Sequence, residues 1–331
     1  MKRNTAVILF FTISTNMVTG IDCSKDYFDI AVLIDSKFSF IGRFPNNELG
    51  FERMLTHIKD THVVMEATGP YYFQLAKFVY ESAIRVSVVN PLIVRRFSQM
   101  QMSRSKTDKK DAQIIAEFAA MTSPKLWEPP TKELQQIRNL ETYLEGLKQR
   151  RHILGSQLHA FEAAGTIDGL LYDEIKAELK NYDQTIKDKH QQIEELIRLN
   201  YSEMYANIRS VPGIGPRSVS MLITTTEGFE RFENHRQVIS YFGLAPRIYE
   251  SGSSIKGRNH ICKMGMGQIR KVLYMAAISA IKCNKACKDL YERLRAKGKP
   301  HKVALIAAVN KLLKQVFAIA KSGQPYKVKL S

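Results

Sequence analysis

The sequence predicts an α/β layer built on a mixed sheet, followed by an all-α region. Three observations carry this. Residues 17–128 alternate short β-type apolar runs with helix-forming segments. Residues 131–205 are almost unbroken helix formers. From Tyr205 onward the chain is helical again, punctuated by Gly- and Pro-bearing turns.

Taken in order, "MVTGIDCS" and "FDIAVLID" are two strand-like runs, and "FSFIGRFPN" is a third. A helix covers 47–59, and "HVVMEAT" is a buried strand. The next helix spans Tyr71 to Ser82, "RVSVVN" is another strand, and Pro91 opens a helix at a position that favours proline. Three strands in meander and then strand–helix–strand make a mixed sheet in an α/β layer. "WEPP", with Pro129 and Pro130, closes the segment.

In the next segment Leu134, Ile137, Leu140, Leu144, Leu147, Leu154, Leu158 and Phe161 step by threes, fours and sevens. After the break "AAGTIDG" the pattern returns with Ile175, Leu179, Tyr182, Ile186, Ile193 and Leu196. This spacing predicts a coiled-coil hairpin or dimerisation arm; two helices packed on their own domain are the other reading. A final amphipathic helix is expected near 301–321. The chain therefore divides into an extension (1–16), an α/β domain (17–128), a helical arm (129–205) and a helical C-terminal domain (206–331).

The formal charge is +17, from 49 Lys and Arg against 32 Asp and Glu. That balance points to a polyanion, either nucleic acid or an anionic membrane surface. It is concentrated: Arg247–Lys302 holds 14 Lys and Arg against 3 Asp and Glu. Cys23, Cys262, Cys283 and Cys287 form no secreted disulfide framework in a chain this long. The spacing of His260, Cys262, Cys283 and Cys287 is not a common zinc pattern, so buried reduced thiols are expected and no zinc. No apolar run approaches the roughly 20 residues of a membrane span. "MKRNTAVILFFTIS" imitates a signal peptide but lacks a small-residue cleavage site. Met17 is taken as the working start, with residues 1–16 an upstream extension or an extra disordered arm, and the protein as cytoplasmic.

Four acids attract attention. Asp22 ends an apolar strand, and Glu66 lies at the C-terminal end of "VVMEATG", where ligand sites of open α/β sheets gather. Asp108 and Asp111, in "SKTDKKDAQIIAEFA", share a helical face. If the four meet, their repulsion calls for a cation, and hard oxygen donors suit Mg²⁺ or Mn²⁺. Two such ions would clamp the attacking and leaving oxygens of a phosphodiester exchange. Lys106, Lys109 and Lys110 would hold the polyanion beside them. Acids that merely complement a helix dipole or face solvent are the competing reading.

"VPGIGP" looks like a helix-hairpin-helix turn, with Gly213 and Gly215 letting backbone N–H groups approach a phosphate. A plain helix–helix turn remains open. In "GLAPRIYESGSSIKGRNHICKMGMGQIRKVL", Ser251, Ser253 and Ser254 are rimmed by Arg247, Lys256, Arg258, Lys263 and Arg270. A hydroxyl among cations is more easily deprotonated and faces a bound phosphate, although serine and glycine are also ordinary loop residues.

The order Asp22, Glu66, Asp108/Asp111, helical arm, "VPGIG", then "GLAPR…SG" resembles the insertion-sequence transposases described as bridge-RNA-guided recombinases. The resemblance spans roughly residues 17–320. It implies a RuvC-like, RNase H-fold domain whose Asp-Glu-Asp-Asp set is Asp22, Glu66, Asp108 and Asp111, and a C-terminal domain with a catalytic serine. The serine preceding glycine in "ESG" is Ser251, with Ser253 as fallback. Where the family has Ser-Lys-x-Gly, this chain has "CKMG", with Cys262. The resemblance further implies attack of the serine on double-stranded DNA through a covalent phosphoserine link. It implies composite sites in a homo-oligomer, dimer to tetramer, and target choice by a structured guide RNA. Two other classes remain: an actin-like or sugar-kinase-type ATPase, for which no second phosphate loop is found, and a non-enzymatic nucleic-acid scaffold.

Overall fold

The computed structural model describes residues 17–35, 37–102, 107–247, 250–251, 255–256 and 260–327; at 250, 251, 255 and 256 it describes the backbone alone. The expectations for residues 1–16 and for Lys106, Ser253 and Arg258 lie outside the described residues. The chain divides into two compact units, 1–130 and 131–331.

In the first unit, β1 (Val18–Cys23), β2 (Tyr27–Ile34) and β3 (Lys37–Pro45) form an antiparallel meander. After α1 (Glu48–Ile58), β4 (His62–Glu66) pairs parallel to β1. After α2 (Tyr72–Glu81), β5 (Val86–Val89) pairs parallel to β4. The strand order is β3-β2-β1-β4-β5, the mixed sheet expected. Then come α3 (Pro91–Met100), where the Asn90 side chain accepts from Leu92 N, and α4 (Asp108–Thr122). Apolar residues fill both faces of the sheet. Ile21, Cys23, Phe28, Ile30 and Met65 pack with Phe51, Met54 and Leu75 of α1 and α2. Val18, Val64 and Val89 pack on the other face with Val94, Phe97, Ile114, Ile115 and Phe118 of α3 and α4.

The second unit opens with two long helices, α5 (Lys132–Ala164) and α6 (Gly169–Asn200). Gly165, at φ 64°, ends the first, and the Asp168 side chain caps the second by accepting from Leu171 N. Their far part shows only modest burial, at Leu158 and Ile175, with Arg151 Nε donating to Asp183 Oδ1 across the pair at 3.0 Å. Their near part is different. Ile137, Leu144, Ile193 and Ile197 belong to the same apolar core as the helices that follow, so the arm and the C-terminal helices share one unit rather than forming two.

Those helices are α7 (Ser202–Arg209), α8 (Pro216–Thr226) and α9 (His235–Tyr241). Four two-residue strands come next: β6 (Pro246–Arg247), β7 (Glu250–Ser251), β8 (Ile255–Lys256) and β9 (His260–Ile261). Then α10 (Gly267–Cys283), α11 (Lys285–Ala296) and α12 (His301–Ser322) complete the unit. α12 corrects the reading that no apolar run is long enough for a membrane, because its length and composition would suffice. Here its Ala304, Leu305, Ala308, Val309, Leu312, Leu313 and Val316 are buried in the second unit's core.

Candidate active site

The acids are placed by a helix lying close on a strand. Thr107 accepts from Lys110 N at 3.2 Å and so starts α4. Asp108 and Asp111 thereby fall in its first turn, where the helix dipole favours carboxylates. α4 then crosses β1 at Gly20. A Cβ at that position would come within 2.2 Å of Ala112 O and 2.4 Å of Ala116 N, so only glycine permits the approach. Alternation along β1 turns Ile21 and Cys23 to one face and Val18, Gly20 and Asp22 to the α4 face. In β4, Glu66 shares the face of Val64 and lies one residue beyond the paired positions Ile21 and Met65.

Asp22 is the centre of this arrangement. Burial, and then the charges of Asp111, Glu66, Asp108 and Asp29 in that order, push its carboxyl from 3.8 up to about 7. The neighbouring Cys23 thiol is pushed up by its own burial and by Asp22 and Glu66. The four acids singled out in the sequence therefore converge electrostatically on one strand end. Thr68 Oγ1 donates to Glu66 Oε1 at 3.1 Å.

Sequence reasoning missed two partners. Asp29 of β2 stands opposite Asp22 in register, and Arg43 of β3 stands opposite Asp29. Asp29 is 2% exposed. Arg43 Nε donates to both its carboxylate oxygens at 3.2 Å, and Nη2 donates to Oδ2 at 2.9 Å. The same Nη2 donates to Asp108 Oδ2 at 2.6 Å, where the Tyr27 hydroxyl also donates at 3.3 Å. The guanidinium lies over the Tyr27 ring, 3.8 Å from its centroid. Arg43 thus draws Asp108 toward β3. Among the described residues, no three His, Cys, Asp or Glu side chains are grouped as a metal ion would hold them. Lys109 is exposed, with Nζ 5.0 Å from the Phe40 ring centroid, and Lys110 is half-buried.

In the second unit, the turn at 211–216 has a different rationale from the one expected. Gly213 sits at φ 95°, and a Cβ there would come within 2.5 Å of Ala280 Cβ on α10. Internal packing by itself demands glycine there. Gly215 faces open space at the start of α8, so it alone keeps the expected opening. Arg209 Nη1 closes the turn by donating to Ile214 O at 2.6 Å. Ser251 lies in β7 opposite Ile255 of β8. Arg247 and Lys263 are exposed, whereas Arg270 Nη1 donates to Phe242 O at 3.1 Å and is partly committed within its own fold.

Two family models match the chain in order. One, described as Transposase and named for its DEDD acids and IS110, covers residues 19–161. The other, Transposase IS116/IS110/IS902 family, covers 205–292. Together they account for well over half the sequence, and the chain belongs to the IS110/IS116 transposase family. It is a DNA transposase/recombinase enzyme. The pilin gene-inverting protein of Moraxella lacunata is 28% identical over 93% of this chain and 96% of its own length. The transposase for insertion sequence element IS1111A of Coxiella burnetii is 22% identical over 94% and 91%. Among solved structures, that of Thermus thermophilus RuvC overlaps 34% of this chain and 99% of its own, at 13% identity and a TM-score of 0.25. That superposition is too loose for any chemistry to be carried across.

Proposed function

We propose that the Asp22 cluster is the metal-supported part of a strand-exchange site in an RNase H-like, RuvC-like domain. The observation that carries the reading is the convergence of Asp111, Glu66, Asp108 and Asp29 on a buried Asp22, whose carboxyl is pushed up to about 7 by that burial first and by their charges second. An all-oxygen donor set under mutual repulsion suits Mg²⁺ or Mn²⁺, with Asp22, Glu66, Asp108 and Asp111 as the holding residues. When bound, two such ions stabilise the attacking and leaving oxygens of phosphodiester exchange.

The chain's own residues do the rest. Arg43 neutralises buried Asp29 and orients Asp108. Lys106, Lys109 and Lys110, at the entrance to α4, attract the nucleic-acid backbone. In the second unit Ser251 is the nucleophile. Its Oγ loses a proton and bonds to phosphorus, one deoxyribose hydroxyl leaves, and reversal of the step on a second strand completes exchange. Arg247, Lys256, Arg258, Lys263 and Arg270 steady the developing charge, and Gly215, at the helix-hairpin-helix-like turn, admits backbone phosphate. Target choice by a structured guide RNA and composite sites in a homo-oligomer joined by the coiled-coil arm follow from the family resemblance.

The serine decides between chemistries. A stalled reaction is expected to leave DNA covalently attached at Ser251, detected on denaturing gels and mapped by mass spectrometry. Ser251→Ala is expected to lose the adduct and keep DNA binding. An adduct at Ser253 or Ser254 moves the nucleophile along the loop. Strand exchange without any adduct refutes it and leaves activated water or a 3′-hydroxyl.

A further inference from the structure

The second unit holds a cavity of about 660 Å³ between the near part of α5, α8, the end of α9 and the start of α10. Nothing in the proposed chemistry uses it. Its lining includes Met221, Tyr241, Met266 and Ile269 together with side chains of mixed polarity. Two guanidinium groups reach it, but both are already committed. Arg217 Nη1 pairs with Glu141 Oε1 at 2.7 Å, and Arg138 Nη2 pairs with Glu227 Oε1 at 2.6 Å. Gln268 Nε2 donates to Glu145 Oε1. With its cations matched by acids, the lining is no anion site, and a phosphate finds no free charge in it.

A second observation is independent. Gly146, in the middle of 33-residue α5, lines the cavity. Glycine is the poorest helix former after proline. A Cβ at this position would meet only the far end of Arg150, at 3.7 Å, an ordinary contact. The protein's own packing therefore does not call for glycine here, whereas any longer side chain would reduce the cavity.

The lining is neutral in balance and mixes apolar side chains with groups able to donate and accept hydrogen bonds. An unstacked nucleobase has the matching chemistry: flat apolar faces and a polar rim. Cations that would hold the attached backbone are close in sequence, at Lys263 before α10 and at Arg270 just after Gln268 and Ile269. We propose that this cavity receives a single unpaired nucleobase from nucleic acid bound to the second unit. The inference rests on the reading of the chain as a nucleic-acid enzyme but not on the acids or the serine.

The test measures binding of the full chain to labelled single-stranded DNA and RNA of about twenty nucleotides. Each is compared with an abasic strand of equal length. Stacking of one base contributes roughly tenfold in affinity. The wild type is expected to prefer the base-bearing strand, and Gly146→Leu to reduce that preference by about this factor while leaving abasic binding unchanged. The DNA and RNA arms show which strand supplies the base. A preference untouched by Gly146→Leu overturns the proposal. Thio-substituted thymidine and uridine strands cross-linked to the wild type give a second reading that needs no variant. Cross-links are expected on peptides bearing Met221, Tyr241 or Met266, and cross-links confined to other peptides overturn it. Asp22→Asn is expected to leave the base preference intact, so failure of the catalytic reading and failure of the cavity reading are separable.

Discussion

Gly20→Ala is the most informative single change, because it moves a helix without touching an acid. A Cβ at Gly20 meets Ala112 O at 2.2 Å and Ala116 N at 2.4 Å, whereas ordinary contact lies at 3.4–4 Å. The obstacles are backbone atoms of α4, which cannot swing aside as a side chain would. α4 must therefore withdraw from β1 by about 1 Å, taking Asp108 and Asp111 with it. Overpacking of this kind costs about 1–3 kcal/mol, and a displacement of about 1 Å at a reacting site costs on the order of a hundredfold in rate. The control is Leu75→Ala, which opens a cavity beneath α2 on the sheet face away from α4. Urea unfolding and a DNA strand-exchange assay are to be run on both variants. Both are expected to lose stability, and only Gly20→Ala to lose about two further orders of magnitude in turnover. Equal activity losses in the two, or a fully active Gly20→Ala, would refute the claim that this approach positions the acids.

Asp22→Asn is expected to abolish strand exchange while raising stability in metal-free buffer near pH 8. With its folded value raised to about 7 from 3.8, the wild-type carboxyl keeps its proton in the folded state while the unfolded chain releases one. Wild-type stability therefore declines as pH rises from about 4 to about 7, and denaturant midpoints across that range should show the decline vanish in Asp22→Asn. Gly213→Ala is expected to destabilise the second unit, given φ 95° and Ala280 within 2.5 Å. Gly215→Ala should leave thermal stability nearly unchanged, so any loss of DNA affinity in it reports a backbone–phosphate contact. Replacing Lys256, Arg258 and Lys263 together by Ala should flatten the log–log salt dependence of duplex DNA binding by up to about three units; an unchanged slope removes that loop from the interface.

Local chemistry made most elements legible. Pro91 announces a helix start, and α3 begins on it. The β-type runs around Asp22 and Glu66 became β1 and β4 almost residue for residue. Asp22 and Glu66 drew attention because charge at the end of an apolar strand is costly without a purpose, and Asp108 and Asp111 because their spacing puts them on one helical face. Asp29 and Arg43 did not, because their meaning lies in the register of three strands, and "FDIAVLID" is covered on both faces and shows little alternation. The packing demand at Gly213 was not legible for a related reason: Ala280, the residue that makes it, lies far along the chain. The arm's spacing of apolar residues was visible, but not that Ile137 and Ile193 would join the core of the C-terminal helices.

The central place of α12 has a consequence for synthesis. Residues 1–130 contain every strand and helix of the first unit, acids included, and that unit is complete once Pro130 has left the ribosome. The second unit lacks the helix that fills its middle until residues 301–322 emerge. At roughly 5–20 residues per second, that is on the order of ten to forty seconds later. During this interval α7, α9, α10 and α11 hold apolar faces with no partner, while the nascent chain already displays its carboxylate cluster. A chain cut short before α12 would carry a finished acid site beside a collapsed or aggregating remainder. Loss of those last turns should silence the enzyme as thoroughly as loss of an acid, and by a wholly different route.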